Sequence, residues 1–196
     1  MSKDNIQENL IQTGRAIVEQ KGVEFLTARK LSEASGYSVG TIYNQFGNMD
    51  NFILIQNYLT LEALYKKFLE IKETNPYERL NKYVSVFVSF VMENKNFWFM
   101  VYKFHLNQSE RSFSVTYLKH ISKMIMLIDK TFKELYPNLK TKKRYVSVQV
   151  LWITLFALSS LLTTDSLKTY SKLKQIKICA FVLNTYLTGI KFLEKM

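Results

Sequence analysis

Two prolines and six glycines are all that punctuate a chain of 196 residues. Sandwiches and barrels turn at short, regular intervals and draw on these residues to do so, so the supply here is too small for either. Long helices are what such a chain can form. The length suits one ordinary domain or two small ones and suffices to bury roughly 70% of the unfolded surface. With 47% apolar and 14% aromatic residues, disorder and linker-like or collagen-like composition are excluded. Cys179 is the single cysteine, which rules out an intramolecular disulfide framework and fits a reducing compartment. The first residues lead into a polar amphipathic stretch rather than an apolar signal core. A soluble, cytoplasmic, all-α protein is the expectation.

The net charge of +11 invites a nucleic-acid reading, but its distribution does not. Residues 1–50 carry five basic side chains against six acidic ones, and the remainder holds 22 against 10. The surplus therefore sits on the later helices, where Lys119, Lys123, Lys130 and Lys133 fit a solvated face. Function has to be argued from particular residues.

Apolar residues at helical spacing start with Ile6, Leu10 and Ile17 and stop at Gly22. Thr27 is placed to cap a short helix with Leu31 and Ala34 inward and Gly36 just past its end. Ser38 caps a second, in which Ile42 and Phe46 lie four apart. Gly47 ends it, and Asn48 caps a longer helix carrying Phe52, Ile55 and Leu59. Two short helices joined by Ala-Ser-Gly-Tyr-Ser form the layout of a helix-turn-helix. Asn75-Pro76 marks a later helix start, and Tyr83 to Met92 reads as a helix enclosed by others. These features divide the chain into a helix-turn-helix domain over 1–50 and a helical domain over 51–196.

Tyr145 to Thr164 is a run of twenty residues without a charge, long enough to span a bilayer. Its Ser, Thr and Gln residues and its two apolar faces fit a helix sandwiched between a core and a partner subunit better. No membrane association is expected. The final helix carries Ile176, Ala180, Leu183, Leu187 and Ile190 at spacings of four and three, a seam suited to another helix. With Leu155 and Leu162 from the uncharged run, these residues are the expected homodimer interface.

The segment Ile6 to Leu54 resembles the N-terminal DNA-binding module of the tetracycline-repressor (TetR) family. The resemblance rests on Thr27-Ala-Arg-Lys-Leu-Ser-Glu-Ala-Ser-Gly36 and on Tyr37-Ser-Val-Gly-Thr-Ile-Tyr-Asn-Gln-Phe46, with agreement at Gly36, Ser38, Gly40, Thr41, Ile42, Tyr43 and Phe46. It implies a three-helix module followed by a helical effector-binding and dimerisation domain, and a dimeric repressor of a palindromic operator in double-stranded DNA. It also implies base contacts at Arg29, Val39, Gly40 and Gln45 and phosphate contacts at Thr27, Thr41 and Tyr43. Physical reasoning agrees: with Ile42 and Phe46 packed, Val39, Gly40, Thr41, Asn44 and Gln45 point outward. Hydroxyls of Thr41 and Tyr43 suit phosphate oxygens, while Asn44 or Gln45 suits adenine and Arg29 a guanine or a phosphate. Capping by Thr27 and Ser38 does not prevent either from contacting phosphate. Asn44 replaces a common second aromatic, and Met49 stands where a lysine is usual.

The resemblance further implies a small-molecule effector in the second domain. Candidate lining residues are Phe87, Phe90, Phe97, Trp98, Tyr102, His105, Tyr117, Met124, Trp152 and Phe156, an aromatic set with few polar groups. The same residues could equally fill a core. His105 and His120 lack partners at metal-ligand spacing, and Cys179 reads as a packed hydrophobe. No metal, cofactor or catalytic residue is expected. Two other readings stand beside the effector-released repressor: an architectural or adaptor protein that dimerises without an effector, and a helical enzyme with an aromatic pocket, which lacks any nucleophile, phosphate-loop or metal motif.

Overall fold

A computed structural model of the chain describes residues 3–106, 115–163 and 172–194. All regular structure among them is helical: α1 (Lys3–Lys21), a 3₁₀ turn (Val23–Phe25), α2 (Ala28–Ser35), α3 (Val39–Phe46), α4 (Met49–Leu69), α5 (Pro76–Glu93), α6 (Lys95–Leu106), α7 (Val115–Leu135), α8 (Thr141–Leu162) and α9 (Lys172–Glu194). Two compact units emerge, one of residues 1–61 with 94–113 and one of 62–93 with 114–196.

Capping fixes the short helices of the first unit. Thr27 Oγ1 accepts from the Lys30 amide at 3.2 Å, and Ser38 Oγ from the Thr41 amide at 3.1 Å. Asn48 Oδ1 accepts from the Asn51 amide at 2.8 Å, starting α4. Each bond satisfies a donor that helix geometry leaves without a partner. Gly36 closes α2 with φ 77°, a left-handed conformation that other residues enter only at a cost, and its amide bonds back to Ser32 O at 3.0 Å. The core of the unit is one cluster of Leu10, Val18, Leu26, Leu31, Ile42, Phe46, Phe52, Phe97 and Met100. Ala34, expected to face inward, is exposed, as is Leu59. On so short a helix Leu31 alone reaches the core.

Helix α6 belongs to this unit. Phe97 and Met100 enter its core, and the Arg15 guanidinium lies 4.0 Å above the Phe97 ring. Asn96 Nδ2 donates to Glu19 O at 2.9 Å, and Lys103 Nζ pairs with Glu24 at 2.6 Å. Close approach between α1 and α4 occurs at Gly14, where a Cβ would lie 2.6 Å from Phe52 Cζ.

In the second unit α5 is the central element, packed against α7, α8 and α9. Its buried residues Leu80, Tyr83, Val84, Phe87, Val88, Phe90 and Val91 form one broad face, roughly 160° of the circumference. Pro76 opens it, with Asn75 Oδ1 accepting from the Tyr77 and Glu78 amides. Polar bonds pin the packing: Tyr136 Oη donates to Leu187 O at 2.8 Å, and Tyr186 Oη to Ser147 O at 2.6 Å. Burial pushes the Tyr136 hydroxyl up to about 12, and it stays a donor. Arg144 pairs with Asp129 at 2.9 Å. By length and composition α8 over Thr141–Leu161 and α9 over Ile176–Glu194 could cross a membrane. Both also set one face into this unit's core.

Gly14→Ala should destabilise the first unit by about 1–2 kcal/mol, because overpacking against a fully buried ring outweighs the gain in helix propensity. Denaturant unfolding checks this. In a Phe52→Leu background, where the ring is gone, the added methyl should cost little.

Candidate nucleic-acid interface

Helix α3 is held by two side chains and open on the rest. Ile42 and Phe46 are 1% and 6% exposed, and Phe46 meets Phe52 edge-on with ring centroids 4.7 Å apart. The opposite face presents Val39, Gly40, Tyr43 and Asn44, all exposed, with Thr41 half-buried. Tyr43 is 44% exposed in a position where nothing in the core needs an aromatic. Ser38 Oγ and Thr41 Oγ1 lie 2.9 Å apart, so these hydroxyls support each other at the start of the helix. Thr27 and Ser38 are exposed caps.

Gln45 differs from the expectation. It is half-buried, and its Oε1 is turned inward with no hydrogen-bond partner. Asn44 is therefore the amide presented outward. Met49 also differs: its side chain packs against the core cluster, so a lysine there would lose apolar contact. Gly40 has open space, with only Ser38 Oγ at 3.6 Å from a Cβ placed there. Nothing among the described residues calls for glycine at 40.

Sequence reasoning missed the role of Glu33. Its Oε1 takes Arg29 Nε at 3.0 Å and its Oε2 takes Lys30 Nζ at 2.8 Å. The Lys30 hydrogen bond, then that of Arg29, holds the carboxyl below the usual range. The i,i+3 and i,i+4 spacing was the available signal. Neighbouring buried amides on α4 also went unnoticed. Gln56 Nε2 donates to Ile11 O at 3.0 Å, while both side-chain polar atoms of Asn57 are buried without a partner.

The aromatic residues expected around an effector do not fall in one unit. Phe97, Trp98, Tyr102 and His105 lie on α6 in the first, where Phe97 fills the core beneath Arg15. His105 Nδ1 is 2.8 Å from Val101 O, and burial lowers its pKa. Phe87, Phe90, Tyr117, Met124, Trp152 and Phe156 lie in the second. The first four of these are buried, and the Phe87 and Trp152 rings stand 5.9 Å apart. The crevice they border with Phe68, Tyr83 and Leu155 holds only about 10 Å³, roughly one water. A larger open groove of about 550 Å³ lies beside Lys67, Ile71, Lys72, Lys82 and Val86. Cys179 is buried and its thiol pushed up to about 11, which suits a packed hydrophobe.

Several of the expected interface residues are enclosed within the chain itself. Leu155, Leu183, Leu187 and Ile190 are at most 5% exposed within a single chain, so these four side chains are taken up by packing within their own unit. Ile176 and Ala180 are half-buried, and the Leu162 side chain lies outside the described residues. Large apolar side chains left exposed on these helices include Val146, Val150, Ile153 and Leu161 on α8 and Ile178, Phe181 and Phe192 on α9. Period alone cannot tell which of two apolar stripes faces inward.

Comparison with known proteins agrees with this geometry. Residues 10–54 match the family model for bacterial regulatory proteins of the tetR family. No curated protein sequence matches the chain. Among solved structures, Bacillus subtilis FadR in complex with stearoyl-CoA superposes with TM-score 0.73 at 15% identity, over 93% of this chain and 98% of that one. Thermus thermophilus FadR, a TetR family transcriptional repressor in complex with lauroyl-CoA, gives 0.70 at 15%, over 93% and 94%. The fatty acid degradation regulator FadR from Bacillus halodurans gives 0.68 at 18%, over 96% and 99%. At these identities the likeness is one of fold.

Gly40→Ala separates folding from docking. The substitution should leave thermal stability unchanged or raise it by up to about 1 kcal/mol, since alanine is the better helix former. Binding to DNA should weaken markedly if α3 approaches the groove with its backbone. Calorimetry and a binding titration on the same preparation read the two effects.

Proposed function

We propose that this chain, a TetR-family protein by its N-terminal module and its fold, is a homodimeric, sequence-specific DNA-binding regulator of the cytoplasm that represses transcription until a small effector releases it. The observation carrying the DNA reading is α3 itself. Two buried side chains anchor it, while Val39, Gly40, Tyr43 and Asn44 stay exposed with no structural use. Tyr43, Thr41, Thr27, Ser38 and Arg29 position the module on phosphates, and Asn44 and Val39 meet base edges. Gln45 reads a base only after its amide turns outward.

Dimerisation uses the exposed stripes of α8 and α9 in place of the buried seam. Val146, Val150, Ile153 and Leu161 follow spacings of four, three and eight, a continuous line along one helix. Ile178 and Phe181 supply the matching line on α9. A two-fold pairing aligns two recognition helices with half-sites of a palindrome. The domain division, with DNA binding before residue 50 and sensing after it, belongs to the same reading, α6 being added to the first part.

For the effector, relatives of the same fold solved with lauroyl-CoA and stearoyl-CoA favour a long apolar chain. The apolar crevice beside Phe87 and Trp152 is the place such a chain would enter by moving Trp152. Lys67, Lys72 and Lys82 nearby in sequence offer charge to a phosphorylated head. One observation favours a second reading, a dimeric DNA-binding protein without an effector: that crevice is closed to about 10 Å³. Thermal unfolding against a panel including both acyl-CoAs and free fatty acids decides. Protection at micromolar ligand supports the sensor, and none across the panel supports the second reading. Genome-wide binding tests the regulator itself, since a lack of discrete sites would remove it.

The interface assignment makes a paired prediction. Ile153→Glu with Phe181→Glu should give helical, folded monomers by sedimentation and circular dichroism. Leu183→Glu with Leu187→Glu should instead unfold the second unit, since burying two carboxylates costs several kcal/mol.

A further inference from the structure

Between Thr27 and Phe46, the whole helix-turn-helix, the sequence holds two cations and one anion: Arg29, Lys30 and Glu33. Both cations are bound by that one carboxylate, one on each oxygen, at 3.0 and 2.8 Å. All three side chains are well exposed, with Arg29 at 87%. The rest of the first fifty residues carries three cations against five anions, so no surplus charge nearby replaces the two that are held. We propose that Glu33 is an intramolecular competitor for DNA, keeping Arg29 and Lys30 paired in the free protein and setting how tightly the module binds phosphate. This rests on the DNA-binding reading above.

The physical argument is one of exchange. Docking brings phosphate oxygens to the start of α2, where they offer Arg29 and Lys30 the same chemistry as a carboxylate. The cations change partner, and Glu33 is left beside the polyanion. Its charge opposes binding twice: the pair must be opened, and the freed carboxylate then faces phosphate. Sequence preference is barely involved, because phosphate contacts carry no base information. Glu33 thus sets overall affinity and its salt dependence while Asn44 and the neighbouring α3 residues set specificity. A module of near-zero charge that binds weakly everywhere makes the base contacts decisive, which favours discrimination over occupancy.

Glu33→Gln tests this with little change of shape. The titrations use a random-sequence duplex pool and the sites selected from it. Affinity should rise for both, leaving their ratio nearly unchanged. The slope of log affinity against log salt should steepen by about 0.9 per protomer, so the gain shrinks about 3.5-fold for each protomer, or about 12-fold for the dimer, when salt rises fourfold. In an Arg29→Gln, Lys30→Gln background the gain should largely disappear. Unaltered affinity and slope in Glu33→Gln would overturn the proposal. A gain that persists in full without the two cations would overturn it too, reducing Glu33 to bare repulsion. Selection of no sites by the wild-type protein, with no binding to the pool, would instead remove the functional reading beneath it.

Discussion

Helix α3 is as rigid as the hydrophobic contact beneath it. Helix α3 has eight residues, too few to persist alone in water, and only Ile42 and Phe46 tie it down. Phe46 rests on Phe52, and Phe52 in turn fills the space that Gly14 leaves on α1. A chain of two contacts therefore runs from a missing side chain on the first helix to the underside of α3. Caps at Thr27, Ser38 and Asn48 fix where each helix begins. The aromatic contacts fix how they are turned.

The second unit solves a different problem. Its central helix α5 buries one broad apolar face, so each helix packed on that face must bring an apolar side to it. Helices α8 and α9 each do so and still keep a second apolar stripe outside. That doubled hydrophobicity makes both long and apolar enough for a bilayer by composition, and it equally suits helices shared between a core and a second subunit. Asn184, which receives the Tyr77 hydroxyl at 2.8 Å, and Tyr186, bonded to Ser147 O, add polar register to the packing of α9.

Much of this was legible in the sequence, for identifiable reasons. Breakers and caps act locally, so the starts at Thr27, Ser38, Asn48 and Asn75 and the stop at Gly36 could be read directly. The outward set on α3 followed from the anchors Ile42 and Phe46. What failed depends on partners far away in the chain. Leu183 and Leu187 lie on a seam whose period is equally right for a partner subunit or for α5, and nothing local distinguishes the two. Phe97 looked like a pocket aromatic because its true neighbours, Arg15 and the module core, are some eighty residues earlier. Met49 was read by position in a motif, while its burial comes from the packing of α4. The turning inward of Gln45 Oε1 is a rotamer choice with no sequence signature.

The attachment of α6 to the N-terminal module has a consequence for how such proteins can be recombined. A head cut after residue 54 would lose Phe97 and Met100 from its core and strip the cover from Arg15 and from the Glu19 carbonyl. Residues 94–106 return to the head from a point forty residues downstream, between helices that serve the other unit. The natural seam of this molecule is therefore not a single point in the chain. A chimera that carries the head to a new body must transplant two separated segments together, or supply a substitute α6 of matching shape. Drift in the second unit is constrained likewise, because one of its sequence neighbours is in physical terms part of the first.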